Sequence, residues 1–364
     1  MKNTLDPLGD LARDLNKTLT ELPHDDVLLP SKYQKAYELK PSNFIEVLTT
    51  DTPNKIAFID GGNGTIVKSP NFTISLNRIY YSVFQGKKRV YPIPNFRVEF
   101  LSCIRQKIKS TSEQSQITHD VTLFPSKNSH KSYIPDVNDI VAGISNVTAD
   151  DPRIYTLPRS LGEWRLALTA LDALSSGDII VMDGSLTTFN KIEAKYAHLL
   201  FEKAQIKDVT VCAISKTTHL LTRGGEPLLN RVSDISRQTT YGRWRINVVS
   251  GVSPHDPGFV MAIKLHPNAQ FPFRFEILQT QHEQMSNTRI NSILASLAVN
   301  SEDMSFLGYP YGLIDADRFA QVRRDEIKLH AGLLESKMRT LHLSKIMQQI
   351  RGFQAHDRLN EVTS

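Results

Sequence analysis

Unbroken apolar runs and alternating ones divide this chain into its elements. Two unbroken runs share one form. Ile56-Ala57-Phe58-Ile59 ends in Asp60-Gly61-Gly62, and Ile179-Ile180-Val181-Met182 ends in Asp183-Gly184-Ser185. Continuous, β-branched-rich runs of this length predict strands buried on both faces. Gly61-Gly62-Asn63-Gly64 predicts a turn after the first. Residues 72–83 and 90–103 read as two more strands, joined by a turn at Gly86-Lys87-Lys88, so the region predicts a three-stranded antiparallel meander.

The stretch 105–158 is polar, rich in Ser, Lys, Asn and Asp, and predicts loop with one short helix near 137–144. A helix is expected from Ser160 to about Leu174, with Ser160 as N-cap and Glu163 at the third helical position. A second helix over 191–205 carries Ile192, Tyr196, Leu199, Leu200 and Ala204 on one face, and a buried strand over 209–216 ends at Lys216. Helix, strand, helix, strand is the order of parallel pairing. Strands near 259–265 and 271–278, a helix over 287–298, and a long C-terminal helix reaching about Ile350 complete the pattern. Before the first strand, Leu8, Leu11 and Leu15 have helical spacing and Pro-interrupted segments follow, which predicts an N-terminal arm over residues 1–50.

An Asp at the tip of a buried strand emerges where the sheet meets solvent. Two such strands, if parallel neighbours, bring Asp60 and Asp183 to one sheet end, where ligand crevices of α/β folds lie. Carboxylates a few Å apart repel unless a proton or a cation neutralises them. A hard divalent ion, Mg²⁺ or Mn²⁺, prefers such oxygen ligands. Taken singly, each Asp-Gly is equally a hairpin signal. The repetition on two strands of one type is what points to a metal.

Composition narrows the classes. The chain has 364 residues, 40% hydrophobic and 22% charged, which suits a packed core and excludes a disordered composition. A net charge of +5 suits a nucleic-acid partner. Cys103 and Cys212 lie in apolar strand-like runs without CxxC spacing, so neither a zinc site nor a disulfide framework is supported. No GxxxxGK[ST], HExxH or GxSxG string occurs, which leaves a P-loop ATPase, a zincin and a serine hydrolase without support. Residues 1–6 form no signal core, and no apolar run is long enough to span a bilayer, so a soluble cytoplasmic protein with no membrane partner is expected.

A meander followed by helix, strand, helix, strand is the chain order of the RNase H-like fold, an α/β mixed sheet flanked by helices. At the residue level, Phe58-Ile59-Asp60-Gly61-Gly62, Met182-Asp183-Gly184-Ser185-Leu186, Ile214-Ser215-Lys216 and Gly308-Tyr309-Pro310…Leu313…Ala316-Asp317 together resemble the NurA nuclease family, over roughly residues 50–325. The N-terminal arm over 1–50 is expected to make dimer or partner contact, and a C-terminal helix and tail cover 326–364. The resemblance implies a nuclease domain over 51–325 with a polar insertion at about 105–158. It implies a metal site of Asp60, Glu163, Asp183 and Asp317, with Asp315 a competitor for the last place, and Lys216 acting on phosphate or water. Gly62 stands where many family members have serine. Two Mn²⁺ or Mg²⁺ ions are implied, because a pair clamps the attacking and leaving oxygens of a phosphodiester. The implied activity is 5′-to-3′ exonuclease action on single- and double-stranded DNA ends with single-strand endonuclease action. The implied assembly is a toroidal homodimer working with a HerA-type hexameric ATPase in DNA end resection or repair.

The residues also admit plainer roles. Glu163 suits a capping box, Asp317 a helix N-terminal charge, Lys216 a solvated strand end, and His219 an exposed loop. From Arg318 to Arg351 there are eight Lys or Arg against three acids, which suits DNA contact or a solvated helix face. Phe319, Val322, Leu334, Met338 and Leu341 have helical spacing and suit packing. Two other functions share features with this chain. An actin- or sugar-kinase-like ATP-binding protein would use Phe58–Gly64 as a phosphate hairpin, although the chain lacks the duplicated halves of that fold. A non-catalytic DNA-binding regulator of a translocase would gain nothing from carboxylates facing phosphate.

Overall fold

The computed structural model describes residues 6–20, 27–29, 34–49, 54–110, 115–145, 147–148, 151–251, 255–343 and 345–348. The chain forms two compact units. One comprises Pro53–Asp183, Thr188–Val211 and Gly312–Ser364; the other comprises Met1–Thr52, Gly184–Thr187 and Cys212–Tyr311. Along the chain, helix α1 (Pro7–Thr20) precedes two short strands, β1 (Lys35–Ala36) and β2 (Ile45–Glu46). Four long strands follow: β3 (Lys55–Ser69), β4 (Phe72–Gln85), β5 (Lys88–Ser110) and β6 (Ser115–Pro125). Next come α2 (Val137–Gly143), α3 (Arg153–Ala170), β7 (Ile179–Asp183), α4 (Lys191–Ile206) and β8 (Thr210–Ser215). Then come α5 (Leu228–Ser236), β9 (Trp244–Ser250), β10 (Gly258–Lys264), β11 (Phe273–Leu278) and α6 (Gln279–His282). Then follow α7 (Asn287–Asn300), α8 (Tyr311–Ala320) and α9 (Arg324–Thr340).

In the first unit β3, β4, β5 and β6 are joined antiparallel in sequence order, and β7 lies parallel to β3 on its other side. The crossover from the meander to β7 runs through α3. This is the RNase H-like chain order, and the fold is α/β with a mixed sheet flanked by helices. Its centre follows from hydrophobicity: Ile56 to Ile59 and Ile179 to Met182 are all buried, as two-faced apolar strands must be.

Several sequence expectations are corrected here. The Gly61–Gly64 segment is not a turn; β3 runs through it, pairing Gly61 with Ile79 and Gly64 with Leu76. The glycines remove side chains where helices press on the strand. A Cβ on Gly64 would lie 2.6 Å from Cδ1 of Ile327 on α9. The first part of the polar insertion is a hairpin of β5 and β6, paired from Phe100↔Pro125 to Ser110↔Ser115. Only one of its faces contributes to the core, through Ile104 and Val121, so most positions read as loop. Helix α3 starts seven residues before Ser160, with Pro158 inside it. Ser160 is therefore no cap; its hydroxyl donates to Oε1 of Glu193 at 2.8 Å. The single C-terminal helix is broken into α8 and α9, and residues 345–348 are again helical. Glu326 recaps α9 by accepting the Arg323 N–H at 2.9 Å. Val322, Ile327, Ala331 and Leu334 pack against Ile66, Val67 and Leu76. The expected end of that helix near Ile350, and Arg351, lie outside the described residues.

The second unit holds β9, β10 and β11 antiparallel, with β1 and β2 on β9 and residues 212–215 of β8 on β11. Its core gathers Val27, Leu39 and Phe44 with Trp244, Ile246 and Val248. Much of the segment expected to be an arm is thus built into this unit, while α1 leaves Leu8, Leu11 and Leu15 exposed. Among the described residues, no helix is long and apolar enough to cross a membrane.

Candidate metal centre

Strand register creates the site. Ile59 pairs with Met182 in the parallel β3–β7 ladder, so Asp60 and Asp183 follow at the next level. Residues level with one another on neighbouring strands point to one face, and so do residues two apart along a strand. Phe58, Asp60 and Gly62 therefore share a face, and α8 covers it. A Cβ on Gly312 of α8 would collide with the Phe58 ring, and a Cβ on Gly62 would collide with the carbonyl oxygen of Ala320. That close approach presents Asp317. Asp60, Asp183 and Asp317 each offer a carboxylate oxygen, and all three atoms lie within 4.8 Å of one another.

Burial pushes the Asp60 carboxyl well above its usual range, and the neighbouring charges of Asp183, Glu163 and Asp317 push in the same direction. The N–H of Gly61, 2.7 Å from Asp60 Oδ1, opposes this. Such a set is costly without a proton or cation, and its donors are all hard oxygens. The three aspartates fit a divalent metal ion.

Glu163 reaches Asp60's surroundings from the other face. It projects from α3 towards Gly61, where a Cβ would collide with its carboxylate. Its Oε1 is bound by the guanidinium of Arg159, one turn earlier on the same helix, and Arg159 also donates to the Gly61 carbonyl at 3.3 Å. Burial raises the Glu163 carboxyl; Arg159 works against that rise. Glu163 is not among the three clustered carboxylates. Glu193 on α4 lies nearby in the electrostatic sense, raising both Arg159 and Glu163. Neither Arg159 nor Glu193 was expected from sequence. The four-residue spacing of Arg159 and Glu163 on a helix was the available signal for the first.

Asp315, the competitor for the last position, is buried and turned to a different task. It forms an ion pair with Arg89 and accepts from the Tyr80 hydroxyl at 3.1 Å. Arg78 on β4 anchors the end of α8 by donating to the Gln321 carbonyl, and it pairs with Glu99 and Glu326. Lys216 follows β8 in the second unit, exposed, with Nζ 5.1 Å from the Tyr309 ring centre. His219 is exposed in the following loop.

No family model matches the chain, and no curated protein does. Solved structures overlap it loosely. The Argonaute of Aquifex aeolicus shows 6% identity and a TM-score of 0.28 over 74% of this chain and 28% of its own. Aa-Ago crystallised with externally bound siRNA shows 7% and 0.28 over 74% and 27%. Drosophila Piwi shows 11% and 0.26 over 73% and 29%. The chain thus spans less than a third of the length of each. At these TM-scores the fold assignment rests on the strand order and register described above.

Proposed function

We propose that this chain is a divalent-metal-dependent DNA nuclease of the NurA type. The observation that carries the reading is the convergence of Asp60, Asp183 and Asp317 within 4.8 Å at the β3–β7 ladder of an RNase H-like core. Bound Mn²⁺ or Mg²⁺ would supply positive charge for the attacking and leaving oxygens of phosphodiester hydrolysis. Asp60 and Asp183 would hold the ion from the sheet and Asp317 from α8. The fourth acidic residue of the proposed site is Glu163, which would serve a second ion. Lys216 is proposed as a phosphate-facing cation.

The finer reading is 5′-to-3′ exonuclease action on single- and double-stranded ends with single-strand endonuclease action. It places the chain as a homodimer beside a HerA-type hexameric ATPase in DNA end resection or repair. It is supported by the sequence resemblance at Asp60-Gly61, Asp183-Gly184-Ser185-Leu186 and Tyr309-Pro310…Ala316-Asp317. The test is incubation of end-labelled linear DNA with Mn²⁺ or with EDTA, with and without such an ATPase. Metal-dependent shortening from the 5′ end supports the reading; intact DNA under every condition refutes it.

A further inference from the structure

We infer that Arg159 competes with a second divalent ion for Glu163, so that the three-aspartate cluster loads one ion readily and a second only by displacing the guanidinium. The inference rests on the metal-dependent reading of this site and concerns how the site fills.

Three observations carry it. First, the acids are divided between the two sides of β3. Asp60 shares a face with Gly62, which α8 covers, while Glu163 enters through the side-chain-free gap at Gly61 from α3. Second, Glu163 is already engaged. Its side chain is 14% exposed and is ion-paired to Arg159, itself 26% exposed, on adjacent turns of one helix. Third, the Arg159 guanidinium is held by more than this pair. It donates to the Gly61 carbonyl at 3.3 Å, next to Asp60, and the charges of Glu163, Asp60 and Glu193 all favour it. It is thus a fixed positive charge beside Glu163 and the backbone next to Asp60.

Physical chemistry sets the consequence. Paired ions in two-metal sites lie about 3.5–4 Å apart. A second ion drawing on Glu163 must come close to the guanidinium, and the repulsion between like charges is poorly screened in a part-buried site. Either the ion binds weakly or Arg159 leaves its carboxylate. The first ion, held by Asp60, Asp183 and Asp317, does not depend on the Glu163 oxygen that Arg159 occupies.

The test is calorimetric titration of the full chain with Mn²⁺, comparing wild type, Arg159→Gln and Arg159→Lys. Wild type should show one tighter and one weaker binding step. Arg159→Gln should strengthen the weaker step by about tenfold, within the usual range of coupling between sites, and leave the tighter step nearly unchanged. Arg159→Lys, which keeps the charge, should stay near wild type. A second step unchanged or weakened in Arg159→Gln overturns the inference, as does a lysine variant that behaves like glutamine. Should Arg159→Gln fail to fold, Glu163→Gln decides: loss of the weaker step alone supports the inference, and its retention overturns it. Ion binding that follows this pattern without DNA cleavage would defeat the nuclease reading and leave the inference standing. No ion bound by any variant would defeat both.

Discussion

Asp60 and Asp183 occupy the same level of adjacent parallel strands, because Ile59 pairs with Met182 and each strand continues into an aspartate. The ladder thus forces two like charges together, and the packing of Gly312 on Phe58 adds Asp317 as a third. Replacing either strand aspartate by asparagine keeps the shape and removes one charge. Asp60→Asn or Asp183→Asn should lower cleavage by at least about a hundredfold, the scale for losing a charge-stabilising group. Both should raise the melting temperature of the metal-free protein. A variant with full activity would refute the site.

The raised Asp60 carboxyl gives this stability a direction in pH. An ordinary Asp titrates near ~3.9, and Asp60 titrates higher when folded. Between those two points the folded chain retains a proton that the unfolded chain has lost. The contribution of Asp60 to stability is therefore full below about pH 4 and is lost as pH rises through the folded value. Metal binding needs the deprotonated carboxylate, so affinity should rise over the same interval. Thermal melts at several pH values, with and without Mn²⁺, should show metal-induced stabilisation growing with pH. The melting advantage of Asp60→Asn over wild type, measured without metal, should grow likewise.

Asp315 and Asp317 are two residues apart on one helix and should separate cleanly. Asp315→Asn removes the charge that pairs with Arg89 and leaves one acceptor oxygen for the two donors, Arg89 and Tyr80. It should cost about 1–3 kcal/mol of stability, as expected when a buried partner is left poorly satisfied, and should retain Mn²⁺ binding. Asp317→Asn should lose binding with little change in stability. Denaturant titration and metal titration of the two variants check this.

Gly312 is required by the approach of α8 to β3. Gly312→Ala places a methyl against the Phe58 ring. Overpacking of this kind costs about 1–3 kcal/mol, and here it should also move Asp317 away from its partners. The variant should bind Mn²⁺ more weakly than wild type while remaining folded, as measured by titration and far-UV circular dichroism.

Leu8, Leu11 and Leu15 form an exposed apolar stripe on α1, a surface suited to the partner contact expected of the N-terminal arm. Deleting residues 1–45 would also remove Leu39 and Phe44 from a packed core. Substituting the three leucines by serine isolates the stripe. The triple variant should lose co-elution with a HerA-type ATPase and keep its melting temperature; unchanged co-elution would reject this surface.

The sequence alone determined the central buried strands, the helix–strand alternation and the placing of Asp60 and Asp183 after two apolar runs. Continuous apolar runs such as Ile56–Ile59 must be buried on both faces whatever surrounds them, and Asp at the end of two such runs is a local fact. Tertiary structure decided what local pattern cannot carry. Gly61–Gly64 continues a strand because α3 and α9 press on it. Residues 105–110 and 115–125 pair as a hairpin because a ladder satisfies their backbone although few of their side chains are buried. Asp317 joins the metal cluster, whereas Asp315 pairs with Arg89, because adjacent faces of α8 meet different partners. Glu163 is bound to Arg159 for the same reason. Backbone hydrogen bonding and charge pairing between distant segments depend on which surfaces meet, and a one-dimensional pattern does not record that.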